Sequence, residues 1–162
     1  MRKGEKGILI GIGAFAIIAM VGKAILMQYQ DPRKERIPFF SHESKALATQ
    51  AAQLVRKYDC RDCHVYWGKK SIMNSVPAPS LDGIGSLRSE QWLYDYLSAK
   101  DPQKILHSRM KMEFQMPSYA EMPETDRKAL AKYLASMKAE DWYLDELKKS
   151  EYEKRTGKKY QP

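Results

Sequence analysis

The sequence predicts an all-α fold, on the strength of three stretches in which apolar residues return every three or four positions. Leu47, Ala51, Leu54, Val55 and Tyr58 form the first, Trp92, Leu93, Tyr96 and Leu97 the second, and Leu130, Tyr133, Leu134 and Met137 the third. A helix places residues at these spacings on one face, so each stretch has a single side to bury. The 162 residues suffice for one domain of ordinary size with attachments at its ends.

The ends of the three helices have local signals. Ser44 is an N-cap for the first, which runs to about Tyr58. Ser89 caps the second, and Asp101-Pro102 ends it. Pro123 suits the first turn of the third, with Glu124 and Asp126 at its positive end. Val65 to Arg88 reads as loop, punctuated by Pro77, Pro79, Gly83 and Gly85.

Ahead of these helices, Gly7 to Gly22 carries no charge, and apolar character resumes from Ala24 to Met27. Counted through Tyr29 this is 23 residues, about 34 Å of helix, which predicts a transmembrane anchor. Arg2, Lys3 and Lys6 form its positive cytoplasmic flank, and Lys23 reaches the far interface by its long stem. A cleaved signal peptide is the competing reading. Beyond the third helix the chain is highly charged yet holds Trp142, Tyr143, Leu144, Leu147 and Tyr152. It reads as a helix to about Lys154 that stops near Gly157, either a solvated extension or a docking surface for a partner subunit. The expected organisation is therefore an anchor over 1–29, a linker over 30–43, a helical domain over 44–137 and a helical extension over 138–162.

Cys60-Arg61-Asp62-Cys63-His64 carries the chemistry. On a helix, cysteines three apart share a face, so each can form a thioether to one vinyl group of a single porphyrin. The adjacent His64 then offers its imidazole as the proximal iron ligand, and the C-x-x-C-H pattern reads as a site for one covalently bound haem c. The competing readings are half a zinc site, a thioredoxin-like pair and a structural disulfide. Zinc wants four ligands, but there is no third Cys, and His42 and His107 are the only other histidines. A thioredoxin-like pair wants a βαβ context, which the flanking sequence lacks.

An iron with a proximal His has a sixth position, where a thioether would stabilise the reduced state. Met110, Met112, Met116 and Met122 fall within thirteen residues, more than gap-filling in a core requires. Pro79-Ser80-Leu81-Asp82-Gly83 resembles the P-x-L-x-G segment of class I cytochromes c, and Met116-Pro117-Ser118-Tyr119 resembles that family's M-P-x-aromatic pattern. The resemblance spans about Leu47 to Met137. It implies three main helices around one haem. The carbonyl of Pro79, with Pro77 in reserve, would accept the proximal histidine's other N–H. Met116 would be the distal ligand, with Met112 and Met110 as alternatives and His107 as a bis-His alternative. Ala51 and Val55 stand where the family often has a glycine and an aromatic residue, so the helix crossing must pack differently, with Tyr133 a candidate to fill it.

The expected function is single-electron transfer outside the cytoplasmic membrane, with the haem domain in the periplasm, where c-type haem is attached. With His64 and Met116 saturating the iron, no substrate site remains and the chain has no reaction of its own. The expected partners are the membrane, an electron donor and acceptor, and other subunits of a respiratory or photosynthetic complex (quinol-oxidising bc-type, terminal oxidase or nitric oxide reductase). The alternatives are a gas sensor or peroxidase with a displaceable sixth ligand, and a scaffold subunit. Lys+Arg 28 against Asp+Glu 20 gives a formal charge of +8, which suits an acidic protein surface or an anionic membrane face. No basic run interleaved with aromatics stands out, which excludes a nucleic-acid partner.

Overall fold

The computed structural model describes residues 3–28, 37–71 and 76–161, which form two compact units, Met1–Ile37 and Pro38–Pro162. The first unit holds one helix, α1 (Lys3–Gln28), and Ile12, Phe15, Ile17, Ile18 and Met20 on it are exposed. Among the described residues, no helix is long and apolar enough to cross a membrane. The uncharged run from Gly7 to Gly22 is 16 residues, about 24 Å of helix against a hydrocarbon core of about 30 Å. Lys23 then interrupts it. This overturns the expected transmembrane anchor, and with it the single-pass placement in the inner membrane with a periplasmic haem domain. Arg2 and half of the expected linker, 30–36, with Arg33, Lys34 and Arg36, lie outside the described residues.

The second unit is mostly helical. It contains α2 (Lys45–Lys57), α3 (Glu90–Ser98), α4 (Glu124–Ser136) and α5 (Leu144–Thr156). Ser44 Oγ accepts the N–H of Leu47 and Ser89 Oγ that of Trp92, so both serine caps satisfy amides that the helix itself leaves free. α4 begins one residue later than its proline suggested, because Pro123 takes an extended ψ of 138° and stands outside the first turn. α5 ends on Gly157, whose φ of +71° is the left-handed conformation that glycine adopts without penalty.

The apolar faces of α2, α3 and α4 meet in one core of Ala51, Val55, Leu93, Leu97, Leu130 and Leu134, all buried. The small Ala51, at 0% exposure, is part of the α2–α4 packing, and Tyr133 fills space in the same core. A feature without a sequence signal is a two-stranded antiparallel pair, β1 (Phe39–Phe40) with β2 (Lys138–Ala139), in which Phe39 stands opposite Ala139. The Glu140 N–H extends it by donating to Pro38 O at 2.8 Å. The pair ties the segment entering the unit to the segment leaving α4.

Two glycines of the loop before α3 decide how closely it lies on these elements. Gly83 has a φ of +78°, and Leu147, Ala139 and Phe39 crowd the place where a side chain would start. Gly85 lies against the carbonyl of Ala135 at the end of α4, its N–H donating to Met137 O at 3.0 Å. A Cβ there would overlap backbone atoms that cannot rotate away. Gly85→Ala is therefore expected to destabilise the unit by about 1–3 kcal/mol. A melting temperature unchanged from the parent would show that this loop does not rest on α4.

Candidate functional site

α2 runs straight into the cysteine motif, but the motif is not a continuation of the helix. Asp59 turns the chain with a φ of +52°, and Cys60–Asp62 forms a single 3₁₀ turn. The N–H groups of Cys63 and His64 both donate to Cys60 O, at 3.3 and 2.9 Å. In a 3₁₀ turn, residues three apart eclipse one another. The two cysteines thus share a face by a tighter geometry than the α-helix assumed from spacing. Both are free thiols. Burial pushes Cys60 up to about 11, and burial likewise raises Cys63. Thioredoxin-like pairs need the opposite, a thiolate stabilised well below the ordinary range. Among the described residues, no three His, Cys, Asp or Glu side chains converge as metal ligands, which leaves the zinc reading without a site.

His64 Nδ1 lies 2.6 Å from the carbonyl oxygen of Pro79. A carbonyl only accepts, so Nδ1 carries the proton and donates, leaving Nε2 with its lone pair free. Burial lowers the imidazole's pKa, the Pro79 carbonyl opposes this, and the nearby charges of Lys154 and Lys70 lower it further. Pro79 is held by its neighbours: Leu81 N–H donates to Val65 O at 2.9 Å, and Ser80 Oγ accepts the N–H of Asp82 at 3.1 Å.

Asp82 is the buried acid of the unit, 1% exposed. Its carboxylate accepts the backbone N–H groups of Trp67 and Gly68, the latter at 2.8 Å. Both residues have positive φ, 50° and 67°, so the carboxylate secures a turn that Trp67 would not adopt unaided. Trp67 Nε1 in turn donates to Tyr133 Oη at 3.2 Å, which fastens the chain beyond the motif to α4.

Met116 is partly buried and packs against the core. Its loop is tied down along its length. Gln115 Nε2 donates to Met110 O at 2.8 Å, Ser118 Oγ to Ala99 O at 2.8 Å and Tyr119 Oη to Tyr58 O at 3.3 Å. Arg127 of α4 donates to Ala120 O at 2.7 Å and to Met122 O.

One cavity, about 1350 Å³ with its open mouth, gathers Cys60, Cys63, His64, Pro79 and Met116. Met110, His107 and Pro77 also border it. Met112 does not: it is 87% exposed and stands outside, and Met122 is buried in the core. Most of the wall is apolar, contributed by Val55, Leu81, Ile84, Trp92, Leu97 and Leu130. Its polar lining includes Arg88, Gln103, Glu151, Lys154 and Arg155, with Asp59, Ser80, His107 and Ser108 also bordering it. Arg88 pairs with Glu151 at 3.0 Å and lies over the Trp92 ring. Gln103 Nε2 and Arg155 Nε are buried without a hydrogen-bond partner. A porphyrin is an apolar ring with two carboxylates at one edge, and it needs an axial nitrogen and two thiols for covalent attachment. The apolar wall, the polar wall and the three motif residues supply these together.

Residues 48–138, just over half the chain, match the family model for cytochrome c. The chain belongs to the cytochrome c family. Membership implies haem c as the cofactor and haem-based electron transfer as the function. No curated protein and no solved structure gave a match.

The matched region of this cytochrome ends before α5, so the part of the cavity wall made by Glu151, Lys154 and Arg155 lies beyond it. Sequence reading missed that wall. The available signal was spacing: Leu147, Glu151 and Lys154 are four and three apart, hence on one helix face, and Leu147 is buried. Asp82 was visible only as a letter in the P-x-L-x-G segment. Asp82→Ala would leave two backbone N–H groups without their acceptor, at about 1–3 kcal/mol each. The expected result is a melting temperature lower by several degrees. Unaltered stability would mean that solvent satisfies both amides.

Proposed function

We propose that this cytochrome carries single electrons through a haem attached by thioethers to Cys60 and Cys63 and ligated by His64 and Met116. The observation that carries the reading is the His64 Nδ1–Pro79 O hydrogen bond at 2.6 Å, in a cavity that both thiols and the Met116 thioether border. It orients the ring and fixes its tautomer, so the nitrogen with a free lone pair is the one available to a metal. When bound, haem c supplies a one-electron couple whose potential depends on axial ligands, burial and nearby charge.

The chain's own residues do the remainder. The apolar walls exclude water from the ring, which keeps the environment at the iron the same in both oxidation states and the reorganisation small. The clamped Met116 loop holds a sulfur that favours the reduced form. Cys60 and Cys63 hold the group through every turnover, so it does not dissociate. The formal charge of +8 favours acidic faces on the donor and acceptor proteins, which would steer encounter in a salt-dependent way. Such partners would be other redox proteins, or neighbouring subunits of a larger redox assembly.

Two measurements test this reading. The denatured, solvent-extracted chain should keep its colour and its added mass, because thioethers survive unfolding. A colourless chain of bare polypeptide mass would overturn the proposal. Met116→Ala should lower the reduction potential and let the reduced protein bind carbon monoxide readily, while the parent binds it poorly. An unchanged potential and visible spectrum in Met116→Ala would remove Met116 from the ligand position. Full, rapid carbon monoxide binding by the parent would favour the sensor or peroxidase reading.

A further inference from the structure

The polar wall of the cavity has an unbalanced charge. Arg88, Lys154 and Arg155 border it with Glu151 as their one acidic companion there, which leaves two positive charges uncompensated. Asp59, the other acid at the cavity, stands beside Cys60 rather than on α5. Glu151 is already engaged by Arg88 at 3.0 Å. Arg155 Nε lies 3.3 Å from the same carboxylate oxygen, yet without the alignment of a hydrogen bond, so this buried N–H remains unsatisfied. The Lys154 ammonium has no hydrogen-bond or ion-pair partner among the described residues. Burial lowers its pKa and the charge of Lys70 lowers it further. Also on the cavity lining, the Gln103 side chain accepts the Ser108 N–H at 2.9 Å through its oxygen, but its buried Nε2 has no acceptor.

Buried donors are almost always satisfied, and buried cations are almost always paired. Here the side chains of Gln103, Lys154 and Arg155 border one cavity, two of them carrying an N–H without an acceptor and the third a half-buried ammonium without a partner. An anion with several acceptor oxygens at that lining would give these side chains partners. α5 is also fixed in place independently of these groups. Leu147 packs at Gly83, Arg109 Nε donates to Lys154 O at 3.3 Å, and Gly157 closes the helix against Arg109.

We propose that α5, outside the family-matched region, is part of the cofactor site: Lys154 and Arg155, with Gln103, receive the two carboxylates at the polar edge of the haem. This rests on the haem reading above. The extension then completes the cavity that α2, α3 and α4 leave open on that side. It also adds positive charge near the iron, which disfavours the oxidised form and raises the potential.

The test uses the full-length, haem-loaded chain. Lys154→Gln and Arg155→Gln should each lower the reduction potential and shift the carboxylate bending band of the haem in resonance Raman spectra. Lys154→Arg should restore both. Lys149→Gln removes the same charge from an exposed position of the same helix and should change neither. If both glutamine variants behave like Lys149→Gln in potential and spectrum, the proposal is wrong and α5 is only packing. A parent chain colourless after denaturation would instead overturn the haem reading beneath it, an outcome distinct from silent variants of a coloured protein.

Discussion

A histidine can hold a metal only through a nitrogen that has no proton, and the two imidazole nitrogens compete for that role until something breaks the tie. In this chain the Pro79 carbonyl breaks it, by accepting from His64 Nδ1 at 2.6 Å. The position of that oxygen is a collective property. Val65 anchors Leu81, Ser80 anchors Asp82, and Asp82 secures the turn at Trp67 and Gly68. Trp67 then reaches Tyr133 in α4. Hydrogen bonds thus link the motif to the loop, and Trp67 links both to a core helix.

What could be read from the letters follows from the range of the interactions involved. Ser44 and Ser89 announce helices because a cap needs only its own next three residues. The grouping of Cys60, Cys63 and His64 is legible for the same reason, since it depends only on adjacent positions. The resemblance placed Pro79 and Met116 at what proves to be the same cavity, although sequence spacing alone says nothing about which of four methionines would face it. The exposure of Met112 and the burial of Met122 are consequences of how the loop folds over α4, where Arg127 grips Ala120 and Met122. The β1–β2 pair was beyond reach because two-residue strands carry no period. The reading of α1 failed for a different reason. Apolar character on both sides of Lys23 was summed into one span, whereas the uncharged run alone is too short for a bilayer core.

The helical domain also illustrates how a small fold manages a large hole. The faces of α2 and α4 pack together around Ala51, Ala131 and Tyr133, while Val55, Trp92, Leu97, Leu130 and Leu134 also border the cavity. Apolar surface left in this way costs about 25 cal/mol for each Å² not buried. An apolar cofactor that covers it therefore stabilises the folded state as any tightly held ligand does. The proposed attachment through two sulfurs would make that stabilisation permanent, so the domain need not be self-sufficient without the group.

The same reasoning distinguishes the two halves of α5. At its start, Leu147 fits against Gly83 and Ala139, a contact that gains stability with or without a ligand. Two turns later, Lys154 stands at the cavity in partial burial, repelled by Lys70, while the Arg155 Nε has surrendered water for no hydrogen bond. Arg155 shares the Glu151 carboxylate with Arg88, and Lys154 has no ion-pair partner among the described residues. Apolar packing explains why the helix lies where it does, yet it would be served as well by neutral side chains at 154 and 155. Their charge makes physical sense when an anion shares the cavity, and on the proposed haem reading the carboxylates of the porphyrin would be those anions.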